Sequence, residues 1–283
     1  MSTTSPTQMF RLSEEAVTYT AYAVALLIAL LILMPFIFVV SISFKQPSAV
    51  VSRPGVIIPE QPTLRNWRLG FNAFQGFLWN SVIVATGTTI LSLFITIPGA
   101  YAFGRKDFPG KELLFYAVVI AMVFPFIILI IPIRSLWGDL DLFNTVHGLW
   151  IAHQVFVVPL AIWILRDFFE NLPMNLEEAA QVYGCTQFGA FVRVILPLSA
   201  PAIAAVAFFA FLHGWNDFLF TNLLTIGGGP VTATVKMYDA LQAGTGDRIQ
   251  WGILMAQALM TGLPPAAFYM FTKKYLTDAF AMG

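Results

Sequence analysis

Six stretches of this sequence are apolar over roughly twenty residues, the length that a helix needs to cross the hydrocarbon core of a bilayer. Charged residues make up only 11% of the 283-residue chain and hydrophobic residues 58%, whereas soluble domains carry about 25% charged residues. The first stretch is too long and uninterrupted for a cleaved signal peptide, so we expect it to be retained. We therefore predict an all-α integral membrane protein with a single transmembrane domain over residues 1–283. The six predicted spans are, approximately, Tyr19–Phe44, Trp79–Phe103, Leu113–Ile133, Gly148–Leu165, Pro201–Leu224 and Trp251–Phe271.

Prolines inside these stretches predict bent spans. Proline lacks the backbone N–H of a regular helix, and membrane bundles tolerate the resulting kink when neighbours satisfy the freed carbonyl. We expect such kinks at Pro35, Pro98, Pro125, Pro159, Pro264 and Pro265.

Several functions are disfavoured by composition and motif spacing. The formal net charge is zero, so the chain lacks the basic field of a nucleic-acid-binding protein. A single cysteine excludes an internal disulfide, and the three histidines have no metal-ligand spacing. The segment "GRKDFPGKE" (Gly104–Glu112) has five residues between its glycines and Glu112 after Lys111, so it is not a phosphate-binding loop. We predict no enzymatic activity, metal site or cofactor in this chain, and any ATP-driven function requires a separate ATPase.

The segment between predicted spans four and five is patterned as two short helices. Asn175 with Glu178 three residues later has the spacing of a capping box. Gly184 predicts a sharp turn after this first helix. A second helical segment is expected over about Gln187–Val194, ending before Leu196-Pro197.

The order of residues in this segment resembles the EAA loop of bacterial ABC-importer permeases. That loop has Glu-Ala-Ala, then three residues, Gly, then nine residues, Ile, one more residue, and Leu-Pro. The matching positions here are Glu178, Ala179, Ala180, Gly184, Val194 (in place of Ile), Leu196 and Pro197. The segments "AYAFGRKDFPGK" (Ala100–Lys111), "LFNTVHGL" (Leu142–Leu149) and "GWNDFLF" (Gly214–Phe220) are similar to those of the MalG-type carbohydrate permeases.

The resemblance implies a type I permease with a cytoplasmic coupling loop at about residues 167–200. The seven matched residues would transmit ATPase movements to the spans, and Gly184→Asp would uncouple transport. The chain would carry a sugar or polyol by alternating access. Its partners would be a second, MalF-like permease, a dimer of ABC ATPases holding ATP and Mg²⁺, an extracytoplasmic solute-binding protein and membrane lipid.

Charge distribution alone does not orient the chain. With both termini inside, eight Lys or Arg residues fall on the inner side and seven on the outer side. The short, basic Gly104–Glu112 loop favours the inside. The resemblance, which places the coupling loop in the cytoplasm, implies a multi-pass protein of the bacterial inner membrane with both termini cytoplasmic.

Asp217 is the one charged residue deep within a predicted span, which makes it a functional candidate. His213 precedes it by four residues and can share its helix face. One hypothesis places His213, Trp215, Asn216 and Asp217 on a substrate path; the alternative is a structural hydrogen bond between spans. His153, Gln154 and Gln257 are weaker candidates of the same kind.

A different class of function also starts from Asp217. An ion-coupled secondary transporter could use Asp217 and His213 as a proton relay, although no repeated halves are visible in the sequence. No Lys or Arg lies within a predicted span, which favours a neutral sugar over a phosphorylated one.

Overall fold

The computed structural model of the chain describes residues 6–226, 228–243 and 249–281. Within these ranges every regular element is a helix. Thirteen α-helices are joined by a 3₁₀ turn at Ala121–Val123 and a π-helical turn at Phe191–Ile195. The α-helices are α1 Pro6–Ser43, α2 Pro47–Ser52, α3 Arg65–Arg105, α4 Lys111–Ile120, α5 Phe126–Asp139, α6 Val146–Asn171, α7 Asn175–Val182, α8 Gln187–Ala190, α9 Leu196–Leu198, α10 Ala200–Asn216, α11 Leu219–Leu224, α12 Ala233–Ala243 and α13 Trp251–Ala281.

Among the described residues, four helices are individually long and apolar enough to cross a membrane, and the number of spans rises to as many as six if each of two bent helix pairs is one span. The single helices are Ala16–Ser43, Arg65–Arg105, Val146–Asn171 and Trp251–Tyr275, and they correspond to predicted spans one, two, four and six. The second span begins fourteen residues before the predicted Trp79. The all-α integral membrane fold with six spans is therefore confirmed.

The third predicted span is bent at a proline. Helical segments Lys111–Val123 and Ile128–Asp139 meet at 106°, and both Phe124 and Pro125 between them have extended backbone angles. Proline removes a helical donor and pushes the preceding residue out of the α region. The other five prolines of the predicted kinks lie within continuous helices: Pro35, Pro98, Pro159, Pro264 and Pro265.

The fifth predicted span is also interrupted, and here the expectation of one helix over Pro201–Leu224 is wrong. Helix α10 ends at Asn216, Asp217 has an extended backbone (φ −62°, ψ 126°), and α11 starts at Leu219. The Asp217 side chain accepts hydrogen bonds from the first turn of α11, so it ends one helix and caps the next.

Clustering of backbone contacts divides the chain into two compact units. The first contains Met1–Asn72 and Asp247–Leu259, and the second contains Ala73–Gly246 and Met260–Gly283.

In the first unit, the end of α1 is tied to the start of α3. Asn66 Nδ2 donates to the carbonyls of Ser43 (3.0 Å) and Lys45 (2.8 Å), and Trp67 Nε1 donates to Ser43 Oγ (3.2 Å). Lys45 is buried, and its Nζ donates to the backbone carbonyls of Arg53 and Pro54, each at 3.3 Å. These bonds satisfy the polar groups of the turn that follows α1.

The core of the second unit is built around α6. Leu149 and Ala152 pack with Trp137 and Phe220 near the start of α6. A second cluster includes Leu165 and Phe169 near the end of the same helix.

Glycine permits close helix approach on α3, because a Cβ at Gly87 would run into the Trp150 indole of α6. Small residues at helix contacts are typical of membrane bundles, where packing rather than water exclusion holds helices together.

Candidate functional site

The predicted coupling loop is two short helices separated by a bend, as the sequence indicates. Helix α7 ends in a Schellman motif: Gly184 N–H donates to the Gln181 carbonyl (2.9 Å) and Cys185 N–H to the Ala180 carbonyl (3.0 Å). Gly184 has φ +89°, a conformation that glycine adopts without penalty. The predicted turn at Gly184 therefore has a specific conformational cause.

The predicted capping box at Asn175 and Glu178 is wrong. Asn175 is already inside the first turn of α7, Met174 occupies the N-cap position, and no side chain caps this helix. The Leu176 N–H donates to the Pro173 carbonyl and the Glu177 N–H to the Met174 carbonyl, so helical hydrogen bonding begins before Asn175. The cap that sequence reasoning missed is Thr186, whose Oγ1 accepts from Gly189 N–H (3.0 Å) at the start of α8.

The second half of the loop continues through the π-helical turn into α9. Helical segments Gln187–Leu198 and Ala200–Asn216 meet at 73°. Ser199 at this junction is buried, and its Oγ donates to the Ile195 carbonyl (2.8 Å). Single π turns within helices are common at functional sites.

The loop has one face packed on the bundle and one face open. Ala180 and Ile195 are buried, and Ile195 packs with Leu165 and Phe169 of α6 and with Val206 of α10. The seven matched residues divide between the two faces. Glu178, Ala179, Gly184 and Pro197 are exposed, Ala180 is buried, and Val194 and Leu196 are half-buried.

Large apolar side chains stand on the open face. Val182, Tyr183 and Phe188 are 86%, 89% and 74% exposed, on either side of the Gly184 bend. Clustered exposed apolar groups mark interaction surfaces. We call these three residues the exposed apolar face of the loop.

The inner face carries charges that sequence reasoning did not connect. Glu177, next to the matched Glu178, is buried and forms an ion pair with Arg105 at the end of α3. Both residues belong to segments that the sequence analysis singled out. Their pairing was missed because 72 residues separate them.

The structure gives the predicted substrate-path residues other neighbours than the sequence indicates. His213 and Asp217 were expected to share a helix face, but α10 ends between them. The Asp217 carboxylate instead accepts from Phe220 N–H (3.3 Å), Thr221 N–H (2.9 Å) and Thr221 Oγ1 (3.0 Å). Its Oδ2 also lies 3.2 Å from Nε2 of His153 on α6.

His153 is therefore the partner of Asp217. The His153 side chain is fully buried, and its Nδ1 lies 2.9 Å from Thr88 Oγ1 of α3. Three helices, α3, α6 and α10, meet through this Thr88–His153–Asp217 chain, which we call the buried polar chain. The His213 ring packs edge to face against His153, with centroids 5.6 Å apart.

The remaining substrate-path candidates occupy different environments. Trp215 is buried, donates from Nε1 to the Thr261 carbonyl (3.1 Å) and stacks on Phe211. Asn216 is exposed. Gln154 donates to the Trp150 carbonyl (2.7 Å) and the Thr88 carbonyl (3.3 Å), and Gln257 is buried in the first unit. Of the leading four, Asn216 is exposed, His213 is half-buried and Trp215 is buried, and the substrate path stays a prediction.

The helical spans and the bent two-helix loop between spans four and five agree with the permease class of ATP-driven importers that the sequence resembles. Residues 95–276 match the family described as "Binding-protein-dependent transport system inner membrane component". The chain belongs to this family, and it is a permease subunit of an inner-membrane ATP-driven importer.

Individual relatives are similar over nearly the whole chain. The trehalose transport system permease protein SugB of Mycobacterium tuberculosis is 32% identical over 89% of this chain and 91% of the relative. The trehalose/maltose transport system permease protein MalG of Thermococcus litoralis is 30% identical over 92% and 93%. The MalG-type resemblance is thus confirmed, and the alternative of an ion-coupled secondary transporter receives no support.

The fold agrees with a solved importer. A chain in the crystal structure of a bacterial ABC transporter involved in the import of the acidic polysaccharide alginate superposes with a TM-score of 0.78. The superposition covers 97% of this chain and 99% of that one, at 20% identity. This likeness supports the type I permease fold.

Proposed function

We propose that this chain is one of two unlike permease subunits of an importer for a neutral sugar or polyol. Its coupling loop, at about residues 167–200, docks into a groove on a cytoplasmic ABC ATPase. The docking proposal rests on one observation, the exposed apolar face formed by Val182, Tyr183 and Phe188. An aqueous loop that exposes three large apolar side chains is stabilised when a partner covers them.

The partners follow from the family and its transport cycle. A solute-binding protein delivers cargo on the outer side, and a MalF-like permease completes the translocation path. ATP and Mg²⁺ are held by the ATPase dimer, whose closure on ATP displaces the coupling loop and opens the spans outward; hydrolysis returns them inward. Both termini of this chain are cytoplasmic in this arrangement.

A neutral cargo is supported by two observations. No Lys or Arg lies within the spans predicted from sequence, so those stretches offer no cation for a phosphate. The SugB and MalG relatives are named for trehalose and for trehalose and maltose. A carbohydrate cargo for this chain is inferred from that similarity.

Purification and reconstitution test the proposal together. The tagged chain, extracted from native membranes, should copurify with an ATPase, a second permease and a solute-binding protein, identified by mass spectrometry. Proteoliposomes of this assembly should take up a neutral sugar only when two conditions are met. ATP must be in the lumen, on the side that carries the ATPase, and the solute-binding protein must be outside. Recovery of the chain alone, with uptake driven by an ion gradient, would contradict the proposal.

Cys185 tests the location of the loop. It is the chain's only cysteine and follows the Gly184 bend, where it is half-buried. A membrane-impermeant maleimide should label it in inside-out vesicles and not in right-side-out vesicles, as read by mass spectrometry of this chain. Adding the ATPase to stripped inside-out vesicles should slow the labelling. Labelling in right-side-out vesicles would place the loop outside and refute the docking proposal.

A further inference from the structure

A buried ion pair connects the coupling loop to α3, a helix that is not adjacent to it in sequence. Arg105 Nε lies 3.4 Å from Glu177 Oε1, and their side chains are 1% and 7% exposed. Tyr101, one turn earlier on α3, donates from its hydroxyl to the other carboxylate oxygen, Glu177 Oε2, at 3.0 Å. Arg105 Nη1 also contacts Met174 Sδ at the start of α7.

The same turn of α3 contacts the second half of the loop. The Tyr101 ring packs against Phe191 of the π-helical turn, with centroids 4.4 Å apart, and edge to face against Phe169 of α6 at 5.9 Å. Both arms of the loop, before and after the Gly184 bend, therefore rest on the last turn of α3. Tyr101 and Arg105 form this contact, which we call the α3 clamp.

Covalent connection alone does not carry a displacement of the loop to α3. The chain joins the loop to α6 on one side and to α10 on the other. Helix α3 has no such covalent link, and its ion pair and ring contact with the loop are made by the side chains of Arg105 and Tyr101. Energetic coupling between distant sites travels through packed side chains and ion-pair networks of this kind. A charged pair withdrawn from water also has a strong preference for one arrangement, because separating its members leaves a buried charge unpaired.

We infer that Arg105 and Glu177 are positioning residues that transmit ATPase-driven movement of α7 to α3. This inference rests on the proposed function, since it assigns the α3 clamp to the ATPase-docking loop. Glu177 acts through Arg105 on the inner face, and the exposed Glu178 stays available to the ATPase. The clamp makes α3 move with the coupling loop during the transport cycle.

The test uses the complete importer, purified with its ATPase and reconstituted in proteoliposomes. The variants are Arg105→Gln, Glu177→Gln and the combination of both. The matched control is Glu112→Gln, which removes a carboxylate on α4, outside the coupling loop, that pairs with Arg166 at 3.8 Å and is 62% exposed. Two quantities are measured for each: the ratio of ATPase to this chain after purification, and the substrate taken up per ATP hydrolysed.

Each single variant should bind ATPase as the wild type does but lose about tenfold in uptake per ATP, a typical size for coupling between two sites. The double variant should lose no more uptake per ATP than the single variant with the larger loss, because both residues act through one contact. Glu112→Gln should match the wild type. Tyr101→Phe keeps the ring contacts and removes only the hydroxyl, so its uptake per ATP should fall about two- to fivefold. If the charge variants fail to assemble, wild-type uptake per ATP in Tyr101→Phe overturns the inference.

Other outcomes overturn the inference. Wild-type uptake per ATP in the variants would show that the clamp does not transmit movement. Losses that multiply in the double variant would show that the two residues act separately. Loss of ATPase binding in Glu177→Gln would assign the pair to the folding of the docking surface. A wild-type chain that assembles with no ATPase would instead contradict the proposed function itself.

Discussion

Replacing Asp217 distinguishes a structural role from a substrate-binding role. In the structure its carboxylate accepts from Phe220 N–H, Thr221 N–H and Thr221 Oγ1 and lies 3.2 Å from His153 Nε2. Losing a helix cap costs about 1 kcal/mol, and leaving the buried His153 Nε2 without its partner costs about 1–3 kcal/mol. We therefore expect Asp217→Ala to destabilise the protein by about 3 kcal/mol in total.

Asp217→Asn should be milder, because asparagine caps helices about as well as aspartate and loses only the charge facing His153. Unfolding midpoints fall by about 2–4 °C per kcal/mol in chains of 150–250 residues. Thermal unfolding of the detergent-solubilised protein should thus show a midpoint lowered by about 6 °C or more for Asp217→Ala, and by roughly half as much for Asp217→Asn. Asn216→Ala is the stability control, because its side chain is exposed one position away.

The same variants should leave the KM for uptake unchanged, since the four contacts of Asp217 leave its oxygens occupied by protein groups. A tenfold rise in KM for Asp217→Asn, with an unaltered unfolding midpoint, would refute this reasoning and favour the substrate path. A raised KM in Asn216→Ala alone would restrict the path to the exposed residue of the segment.

Three further variants test other parts of the structure. At Gly184, φ is +89° and an added Cβ would meet nothing within 4 Å. Gly184→Val should therefore cost about 1–2 kcal/mol from the backbone conformation alone. It should lower uptake per ATP more than Gly184→Asn does, because asparagine tolerates positive φ. Gly87→Leu should place its side chain against the Trp150 indole, cost about 1–3 kcal/mol through overpacking and reduce the yield of folded protein. Arg53→Ala removes an ion pair to Glu60 whose side chains are 58% and 69% exposed, so the free energy of unfolding should fall by less than about 1 kcal/mol. Thermal unfolding should show a midpoint lowered by less than about 4 °C.

The two-helix form of the proposed coupling loop was predictable because its signals are local. Positive φ at Gly184 is required by a Schellman motif within six residues, and the pattern of glycine and Leu-Pro is visible without any tertiary contact. The capping box failed for a local reason as well. Helical hydrogen bonds start at the Pro173 carbonyl, so Asn175 arrives too late to cap.

The polar contacts within the spans were not predictable in the same way. Helical spacing predicted that Asp217 and His213, four residues earlier, share a helix face, which requires a continuous helix. The break at Asp217 removes that relation, and the actual partner, His153, lies 64 residues away on α6. Apolar length locates a span, but hydropathy does not reveal that an acidic side chain caps a new helix within it.

The two buried polar contacts constrain how the permease can move. The Thr88–His153–Asp217 chain ties α3, α6 and α10 together within the bundle, and the Arg105–Glu177 pair ties the end of the same α3 to the coupling loop. Helix α3 is thus held at two points along its length, by contacts that are costly to separate because each buries charged or polar groups. If the α3 clamp transmits movement as inferred, a displacement of α7 moves α3, and the Thr88–His153–Asp217 chain carries α6 and α10 with it. This arrangement favours alternating access by rigid-body movement of these helices over bending of the loop.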